Sequence, residues 1–396
     1  MNILFVNNSY KLFNESDSGA SNRTTMFLQA LSEVGHVDVI SFVNVCKSNI
    51  ENCDVIYTKE IISSAKHLSA ISKLKRVLCS STIQDIYGFD EEKANIICNI
   101  LENKHYDYIA CRYIHDAALC GLDLFENKLI LDVDDSPKTA FLSTIPNNIN
   151  TFKKLYIRSY ADRIDKVCNR FLSKTFCSFY SNPAEKPSEE SIFLHNVSLA
   201  NKEIPNIPDH YKPVILMVGW MVYAPNRFGA NLFATKIFPK IKEKIPNAEF
   251  RIAGRCEDDF KEEMEKTAGV HVLGYVQKLD KEYENASVVV VPIYQGSGTS
   301  IKVVEGMQMN RPVISSSIGV RGLENIIKNG RDYLKADSNS DFANKVIDLL
   351  LSDADRLRTL AKNGKQIVDK YYSKERFKEI VTNALAHKIK AKLYKY

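Results

Sequence analysis

The amino-acid sequence predicts an α/β protein made of two doubly wound domains, each built on a parallel sheet. Short apolar runs alternate with helical patterns along almost the whole chain, which is typical of parallel strands joined by crossover helices. A polar, proline-rich stretch between Ala200 and Pro213 interrupts this alternation, and strands and helices start afresh after it. A length of 396 residues also leaves room for a separate core in each of two domains.

In the first half, apolar runs predict strands, and longer amphipathic stretches predict the helices between them. The predicted strands are Asn2–Val6, Val37–Val43, Asp54–Thr58, Arg76–Cys79, Tyr108–Arg112, Leu129–Val133, Thr175–Ser178 and Ile192–Leu194. The predicted helices are Asn22–Val34, Glu91–Asn103 and Asn150–Ser173.

In the second half, the same reasoning predicts strands at Val214–Val218, Glu249–Ala253, Val270–Leu273, Ser287–Ile293 and Pro312–Ser316. The predicted helices are Arg227–Lys244, Asp258–Ala268, Asp280–Ala286, Thr299–Met309, Ser340–Leu351, Asp353–Tyr372 and one from Lys374 to the end. The domains would then be residues 1–200 and 213–373, with a linker at 201–212 and a final helix at 374–396. We expect that helix to pack back on the N-terminal domain, and ligands to bind in the cleft between the domains.

The net charge is small and argues against one class of partner. The chain has 53 basic and 48 acidic residues, and both signs are interspersed, so nucleic acid is not an expected partner. Basic residues are concentrated in two helices, at 153–174 and 387–396. These basic faces are either solvated surfaces or contacts for anionic lipid or for a lipid-diphosphate substrate.

Cysteine usage and the chain start favour a cytoplasmic protein. The nine cysteines show no CxxC pair, and most of them lie in apolar runs, which favours buried thiols over disulfides or zinc sites. The chain begins with a predicted strand rather than a basic leader, and no apolar run approaches the roughly 20 residues that a membrane span needs. We therefore expect a cytoplasmic protein, or one held on the inner face of the plasma membrane.

The most specific pattern is a turn, Gly296-Ser297-Gly298, which follows the buried run Ser287–Ile293 and opens a helix. Glycines let the backbone approach a ligand, and free N–H groups at a helix start bind anions. Lys302 lies in the first turn of this helix, where a cation opposes the helix dipole, so an anionic partner would explain it. Glu305 lies one turn later on roughly the same face, within reach of a hydroxylated group joined to that anion. The pattern therefore predicts a site for a nucleotide sugar.

Three segments of the second half carry a resemblance to a known family. They are Gly219-Trp220-Met221-Val222-Tyr223-Ala224-Pro225-Asn226, Arg251-Ile252-Ala253-Gly254-Arg255 and the stretch from Gly298 to Ile314. Together they resemble the nucleotide-sugar domain of retaining glycosyltransferases of the family 4 type, the glycosyl transferases group 1. The resemblance implies the GT-B fold, in which two Rossmann-like domains face a cleft. The nearest members of the family act in bacterial surface-polysaccharide assembly, so the resemblance implies that role for this protein.

The resemblance further implies roles for residues of the donor site. Glu305 would accept hydrogen bonds from the ribose hydroxyls, while Lys302 and Arg255 would pair with the diphosphate. A surface salt bridge is the alternative for Arg255. The other donor contacts would come from two places. The turn and helix start would meet the distal phosphate through Gly298, Thr299, Ser300 and Ile301. A loop near the base would contribute Tyr275 and Val276. For Tyr275 and Val276, packing alone is the alternative.

The sequence departs from the family pattern at two positions. The family usually has a glutamate eight positions before Glu305, near the transferred sugar, and this chain has Ser297 there. The identity of the sugar is therefore not readable. Trp220 stands where many members carry an arginine, and Arg227 is our candidate for the missing phosphate charge.

The first half offers its own glycine loop, which contains Gly19 and Arg23 and resembles the family's N-terminal loop near the donor phosphate. A plain helix N-cap at Ser21 or Asn22 would give the same pattern, so the signal stays open between these two interpretations.

An acidic strand end in the first half is a candidate for catalysis. Asp132, Asp134 and Asp135 follow one another closely, and neighbouring like charges raise one another's pKa, which would ready one carboxylate as a base. We choose Asp134, although a metal site or an N-cap for the next helix would also fit this pattern. His115 follows another strand end, where family members often place a histidine near the transferred sugar. A structural role is the alternative for this histidine.

These patterns predict a retaining glycosyltransferase of the hexosyl type that uses neither a metal ion nor a cofactor. Its catalytic residues would be Asp134, His115, Lys302 and Arg255. It would move a sugar from a UDP- or GDP-sugar to a glycan or lipid-linked glycan acceptor, in contact with an anionic membrane if the basic helices bind lipid. The alternatives are a nucleotide-sugar epimerase or hydrolase of the same fold, and a catalytically silent nucleotide-binding subunit of a glycosyltransferase complex.

Overall fold

The computed structural model describes residues 1–13, 19–61, 79–143, 145, 150–182, 186–197, 204–295 and 301–393. The chain divides into two compact units. The first unit comprises Met1–Asn196 together with Lys374–Tyr396, and the second unit comprises Val197–Ser373. Each unit contains one parallel sheet with helices, which confirms the predicted α/β class with two doubly wound domains.

The first unit is built on a seven-stranded parallel sheet with the strand order β3-β2-β1-β4-β5-β6-β7. Its central strands are buried on both faces, because helices cover a parallel sheet from both sides and its strands read as continuous apolar runs. The strands are β1 Asn2–Asn7, β2 His36–Ser41, β3 Cys53–Thr58, β4 Tyr108–Arg112, β5 Leu129–Asp134, β6 Cys177–Tyr180 and β7 Ile192–Phe193.

Six α-helices in the described part of the first half of the chain belong to the same unit. They are α1 Gly19–Ser32, α2 Ile83–Tyr87, α3 Glu91–Asn103, α4 Ile114–Leu119, α5 Pro137–Ser143 and α6 Thr151–Leu172, with a 3₁₀ helix at Leu122–Lys128. Local sequence explains where α6 begins, because the Asn150 side chain accepts a hydrogen bond from the Lys153 N–H at 2.9 Å. The apolar stripe of α6 faces the core through Ile157 and Ile164, which are both buried.

The second unit is built on a six-stranded parallel sheet with the strand order β10-β9-β8-β11-β12-β13. The strands are β8 Val214–Val218, β9 Glu249–Ala253, β10 Val270–Gly274, β11 Val288–Val291, β12 Val313–Ser315 and β13 Leu334–Lys335. After β8 the chain builds the sheet outward to β10 and then returns to the other side of β8 to form β11. The strand order therefore reverses between β8 and β11, which is where doubly wound folds bind ligands.

Helices α7 to α13 complete the second unit. They are α7 Ala224–Leu232, α8 Phe238–Lys244, α9 Asp258–Met264, α10 Leu279–Asn285, α11 Ile301–Gln308, α12 Asn339–Leu350 and α13 Ala354–Tyr371. A π-helical turn at Phe233–Ile237 joins α7 to α8, so the single predicted helix at Arg227–Lys244 is interrupted at its middle.

The last helix, α14 Lys374–Leu393, belongs to the first unit and packs on α1. Phe377, Val381 and Leu385 are fully buried there. The chain passes from the first unit to the second between Asn196 and Val197. Within the stretch whose composition predicts a linker, Ile204 and Ile207 are buried in the core of the second unit, because apolar side chains between prolines still find a packing partner.

The predicted elements differ from the structure mainly where segments are short. Cys79 lies in a helical turn, although the sequence predicts a strand at Arg76–Cys79, and the rest of that stretch lies outside the described residues. The short elements α2, α4, α5 and β13 are not apparent in the sequence, because a few residues carry too little periodicity and tertiary contacts decide their conformation.

Candidate functional site

Three glycine turns at the carboxyl ends of β8, β9 and β10 form one packed rim. The Gly219 N–H donates to the Ala253 carbonyl at 2.9 Å, and the Gly254 N–H donates to the Gly274 carbonyl at 2.8 Å. Gly254 has a φ of +138°, and a Cβ atom on it would lie 1.8 Å from the Gly219 carbonyl oxygen. Only glycine allows this approach, so the three turns are held together as a single edge.

Lys302 lies in the first turn of α11, and its side chain runs along this rim. A Cβ atom on Gly219 would come within 2.8 Å of the Lys302 Cε and 2.9 Å of the Asn226 Nδ2, so both side chains border the same glycine. Within the described residues, Lys302 makes no hydrogen bond or ion pair, and Glu305 is the one charged neighbour that acts on it. Burial lowers the pKa of the Lys302 ammonium, and Glu305 opposes part of that shift.

A cation in this position is unfavourable unless an anion binds. The start of a helix already carries partial positive charge, and the burial of an ammonium group without a partner costs free energy. An anionic ligand at the start of α11, which the sequence pattern predicts, would compensate this charge.

Glu305 follows one turn later on α11 and is partly buried. Burial raises the pKa of its carboxyl group to about 7, and a repulsive contribution from Asp280 adds to this effect. Tyr283 and Lys302 act in the opposite direction and favour the ionised form. A carboxylate with so few partners can accept hydrogen bonds from neighbouring hydroxyl groups of a ligand.

Further polar and aromatic groups stand on the loops that follow the strands. Trp220 after β8 is 53% exposed and Tyr275 after β10 is 58% exposed, so both offer flat apolar surfaces to a ligand. Arg255 after β9 is exposed and has no ion pair with any described residue, so the alternative of a surface salt bridge is not observed. Val276, in contrast, packs against the core of the unit.

Arg227 has partners of its own, unlike Arg255. Its guanidinium group forms ion pairs with Glu257 and Asp259, both at 2.7 Å, and lies over the ring of Phe260 at 5.3 Å. Two carboxylates already compensate its charge. The structure therefore argues against our expectation that Arg227 replaces the missing arginine near a phosphate.

Part of the predicted site lies outside the described residues. Ser297, Gly298, Thr299 and Ser300 fall in the stretch 296–300, and Ile301 is the first residue of α11. The predicted phosphate turn is thus bordered by described residues on both sides, namely Gln295 and Ile301.

The acidic strand end of the first unit is part of a buried ion-pair network. Arg23 binds Asp132 with two hydrogen bonds, at 2.7 and 2.8 Å, and Arg112 binds the same carboxylate at 2.7 Å. Arg112 also binds Asp134 at 2.7 Å, while Arg23 approaches it to 3.6 Å. Arg23, Arg112 and Asp132 are almost completely buried. Each carboxylate is thus met by two arginines.

This network corrects the predicted role of the acidic cluster. Although burial opposes it, the charge of Arg23 and then of Arg112 lowers the pKa of Asp132, whereas we expected neighbouring carboxylates to raise it. Asp134 is held by Arg112 and by the Tyr113 hydroxyl at 3.3 Å, so neither a free base nor an open metal site is found there. Asp134 and Tyr113 both adopt positive φ, 64° and 63°, which turns their side chains toward Arg112.

His115 and Gly19 lie near this network but outside it. The His115 side chain is 45% exposed, its Nε2 atom lies 3.3 Å from Asp116, and its ring stacks on Tyr113 at 5.1 Å. Asp116 is held in turn by other side chains at the end of β1. Gly19 is the first residue of α1, the helix that carries Arg23. His115 is thus accessible to a ligand of the first unit, whereas Arg23 serves to hold the unit together.

Sequence reasoning did not find Tyr283, which acts on Glu305, or Arg311, which binds the main chain beside Tyr283. Tyr283 on α10 is fully buried beside Glu305, and Arg311 before β12 is 1% exposed and bound to main-chain carbonyls. Burial lowers the pKa of Arg311 to about 10. An arginine directly before a buried strand is a signal that could have drawn attention, because it must find acceptors in the interior.

Comparisons with known proteins concern the second unit first. Residues 212–352 match the family model described as glycosyl transferases group 1. An uncharacterized 44.6 kDa protein in the cps region of Klebsiella pneumoniae is 22% identical over 323 residues, which are 75% of this chain and 78% of that protein. Asn226, Arg255, Lys302 and Glu305 all lie in the matched stretch, and Asp134 and His115 do not.

Solved structures resemble the whole chain. Sucrose-phosphate synthase from Thermosynechococcus elongatus has a TM-score of 0.69 at 16% identity, over 98% of this chain and 99% of that one. HepE from Anabaena, solved with UDP and glucose, has a TM-score of 0.63 at 12% identity, over 97% and 99% of the two chains. The chain has the GT-B fold. Its second unit carries a glycosyl transferases group 1 domain, so the predicted fold and the resemblance of that domain to the glycosyl transferases group 1 are confirmed.

Proposed function

We propose that this GT-B protein is a retaining glycosyltransferase of surface-polysaccharide assembly. It transfers a sugar from a UDP- or GDP-sugar to a glycan or lipid-linked glycan. One observation carries the proposal: α11 presents an ammonium group without a hydrogen-bond acceptor among the described residues, and a partly buried carboxylate follows one turn later. The similarity to HepE, which was solved with UDP and glucose, and to a protein of a cps region supports it.

In this proposal the cations of the rim bind the donor diphosphate. Lys302 and the exposed Arg255 both carry positive charge without a carboxylate ion pair within the described residues. Negative charge builds on the diphosphate as the glycosidic bond breaks, and positioned cations stabilise that charge in the transition state. These two side chains would supply the charge that a metal ion supplies in other transferases, so we propose a metal-independent reaction without a cofactor.

The retaining mechanism is consistent with the state of the first unit. In such a reaction the acceptor oxygen attacks the anomeric carbon on the face from which the diphosphate leaves, and a phosphate oxygen takes the acceptor proton. No protein base is then needed for that proton. This agrees with Asp134, whose carboxylate is already bound by Arg112 at 2.7 Å.

The acceptor proposal is supported by the start of α6, which combines apolar and basic side chains on the surface. Phe152 is 88% exposed and Leu155 is 69% exposed, although large apolar side chains are usually buried. Lys153, Lys154 and Arg158 are exposed beside them. Aromatic and basic residues together are typical of helices that bind the surface of anionic membranes. Among the described residues, no helix is long and apolar enough to cross a membrane.

Nucleotide binding is the first test of the proposal. The chain has a single tryptophan, Trp220, in the rim beside Lys302, so its fluorescence should report binding of UDP-, GDP-, ADP- or CMP-sugars. We expect Lys302→Ala and Glu305→Ala to weaken binding by about tenfold or more, since each removes a charged contact. The exposed residues Lys281 and Glu262 provide matched control substitutions. Unchanged affinity in the two rim variants would overturn the donor-site assignment.

Product analysis then separates the proposed reaction from its alternatives. A glycosyltransferase consumes the donor rapidly only when an acceptor is present, and the product keeps the anomeric configuration of the donor. If the protein epimerises or hydrolyses the donor at full rate without an acceptor, it is a nucleotide-sugar epimerase or hydrolase instead. Binding without any turnover, across glycan and lipid-linked acceptors, would replace it with a silent subunit.

Membrane contact has a test of its own. We expect the protein to float with vesicles that contain phosphatidylglycerol, and a Phe152→Ser and Leu155→Ser double variant to lose flotation. Phe89→Ser is a matched control, because Phe89 is 49% exposed elsewhere on the same unit. Full activity on lipid-linked acceptors without vesicle binding would contradict the membrane part of the proposal.

A further inference from the structure

A buried tyrosine lies beside the carboxylate of the candidate donor site. The Tyr283 side chain on α10 has no exposed surface, and its hydroxyl group makes no hydrogen bond of regular geometry with any described residue. Glu305 is the charged group of the described residues that acts on this hydroxyl. Buried phenol hydroxyls almost always have a partner, so one without a hydrogen bond, next to a carboxylate of the candidate site, calls for an explanation.

The main chain around Tyr283 is fixed from the other side by Arg311. The Arg311 Nε atom donates to the Tyr283 carbonyl at 2.7 Å, and Nη2 donates to the Glu284 carbonyl at 2.9 Å. A third hydrogen bond joins Nη1 to the Pro205 carbonyl at 3.0 Å. This guanidinium group caps the carboxyl end of α10, where a cation is favourable. The last turn of α10 therefore presents Tyr283 in one position.

Among the described residues, three ionisable groups act on Glu305, and they lie on elements that pack around it. Tyr283 and Asp280 lie on α10, and Lys302 lies on α11 itself. Burial raises the pKa of Glu305 to about 7, Asp280 raises it further, and Tyr283 and Lys302 lower it. The ionisation of Glu305 is therefore sensitive to the loss of either favourable neighbour near neutral pH.

We propose that Tyr283 is a positioning residue for Glu305: its hydroxyl donates to one carboxylate oxygen and aims the other toward a vicinal diol of the ligand. A carboxylate has about four acceptor positions, so one bond to Tyr283 leaves enough for two ligand hydroxyls. The hydrogen bond closes to regular geometry when the ligand diol fixes the carboxylate. This inference rests on the proposed function, since it assigns the ribose of a nucleotide as that diol.

Tyr283→Phe tests the inference, because it keeps the ring and removes only the hydroxyl. We expect the dissociation constant of UDP at pH 7, with GDP measured in parallel, to rise about tenfold, which is the usual effect of losing a hydrogen bond to a charged group. The pH below which affinity is lost should move upward, since one group that favours ionised Glu305 is gone. The kcat at saturating donor should stay within about twofold.

A nucleotide without the diol distinguishes positioning from mere packing. Tyr283→Phe should weaken the binding of UDP but not of 2′,3′-dideoxyuridine diphosphate, because the second ligand has no hydroxyls for Glu305. Tyr333→Phe is a matched control, since Tyr333 is buried in the same unit and does not face Glu305. Equal effects on both nucleotides, or a lower melting temperature with unchanged affinity and pH profile, would overturn the inference.

The same experiment separates this inference from the proposed function. If Glu305→Gln weakens UDP or GDP binding but Tyr283→Phe does not, then only the role of Tyr283 is wrong. If the unmodified protein binds neither nucleotide, the proposed donor site is wrong as well.

Discussion

The two units hold charged groups at the carboxyl ends of their strands in opposite ways. In the first unit, two arginines meet Asp132 and Asp134, and the buried charges compensate one another. In the second unit, neither Lys302 nor Glu305 forms an ion pair with a described residue, and Lys302 has no hydrogen-bond acceptor among them. Location at a strand end is therefore not enough to identify a functional carboxylate. The partners of the group decide whether it supports the fold or remains available for a ligand.

The largest effect should come from the compensated network. Asp132→Asn keeps the shape of the side chain but leaves Arg23 and Arg112 without their shared anion. We expect it to lower the free energy of unfolding by about 3–5 kcal/mol, as for other buried pairs that lose one partner. Urea titration can measure this loss. Asp54→Asn is the control, because Asp54 is 73% exposed on the same sheet. If the Asp132→Asn protein is stable but inactive, the comparison is wrong, because the network then serves activity rather than stability.

Lys302→Met should have the opposite effect, a loss of activity without a loss of stability. We expect kcat/KM to fall by about 10²–10³-fold, the usual loss when a group that stabilises transition-state charge is removed. The free energy of unfolding should stay the same or rise. Burial lowers the pKa of Lys302, so the native state binds fewer protons than the unfolded chain and the ammonium costs stability below its unfolded pKa. Calorimetry and steady-state kinetics on one preparation would check both parts, and a marked loss of stability would contradict the second.

Glu305 adds a pH dependence with a definite sign. Its folded-state pKa of about 7 is above the usual value of 4.5, so the native state holds more protons between these values and stability falls as the pH rises through them. Glutamine does not ionise. We therefore expect Glu305→Gln to be more stable than the unmodified protein at pH 8, by about 3 kcal/mol, and equal to it near pH 4.5. A stability difference that does not vary with pH would contradict this assignment.

The smallest effects should separate two surface arginines of the second unit. Arg255→Ala should weaken nucleotide binding by about tenfold, because its charge is available to the diphosphate. Arg227→Ala should leave binding unchanged and cost less than about 1 kcal/mol of stability, since exposed ion pairs contribute little. Each variant is the control for the other in nucleotide titrations. A larger binding loss in Arg227→Ala would restore the phosphate role that its ion pairs argue against.

The sequence predicts most of this fold because the signals are local. Apolar runs mark both parallel sheets, and Gly219 and Gly254 mark the turns of the rim. The spacing of Lys302 and Glu305 places them on one face of α11 without any knowledge of the tertiary structure. That part of the site could therefore be read before the structure was known.

The remaining features depend on contacts between residues far apart in the chain. Arg23 reaches Asp132 across 109 positions, and nothing near the acidic strand end reveals this partner. Arg112 lies opposite Asp132 in the register of β4 and β5, but the order of these strands is needed before that pairing can be recognised. Tyr283 approaches Glu305 from another helix in the same way. Local patterns thus identified Asp132, Asp134 and Glu305 as candidate carboxylates. Only the tertiary structure showed that arginines already bind the two aspartates and that Glu305 remains available to a ligand.

The position of α14 also bears on how the protein forms during synthesis. Phe377, Val381 and Leu385 are buried in the first unit, so its core lacks a helix until the second unit has been synthesised. The second unit has no such requirement, because all of its elements lie between Val197 and Ser373. The first unit therefore completes its packing only after the second unit has been synthesised.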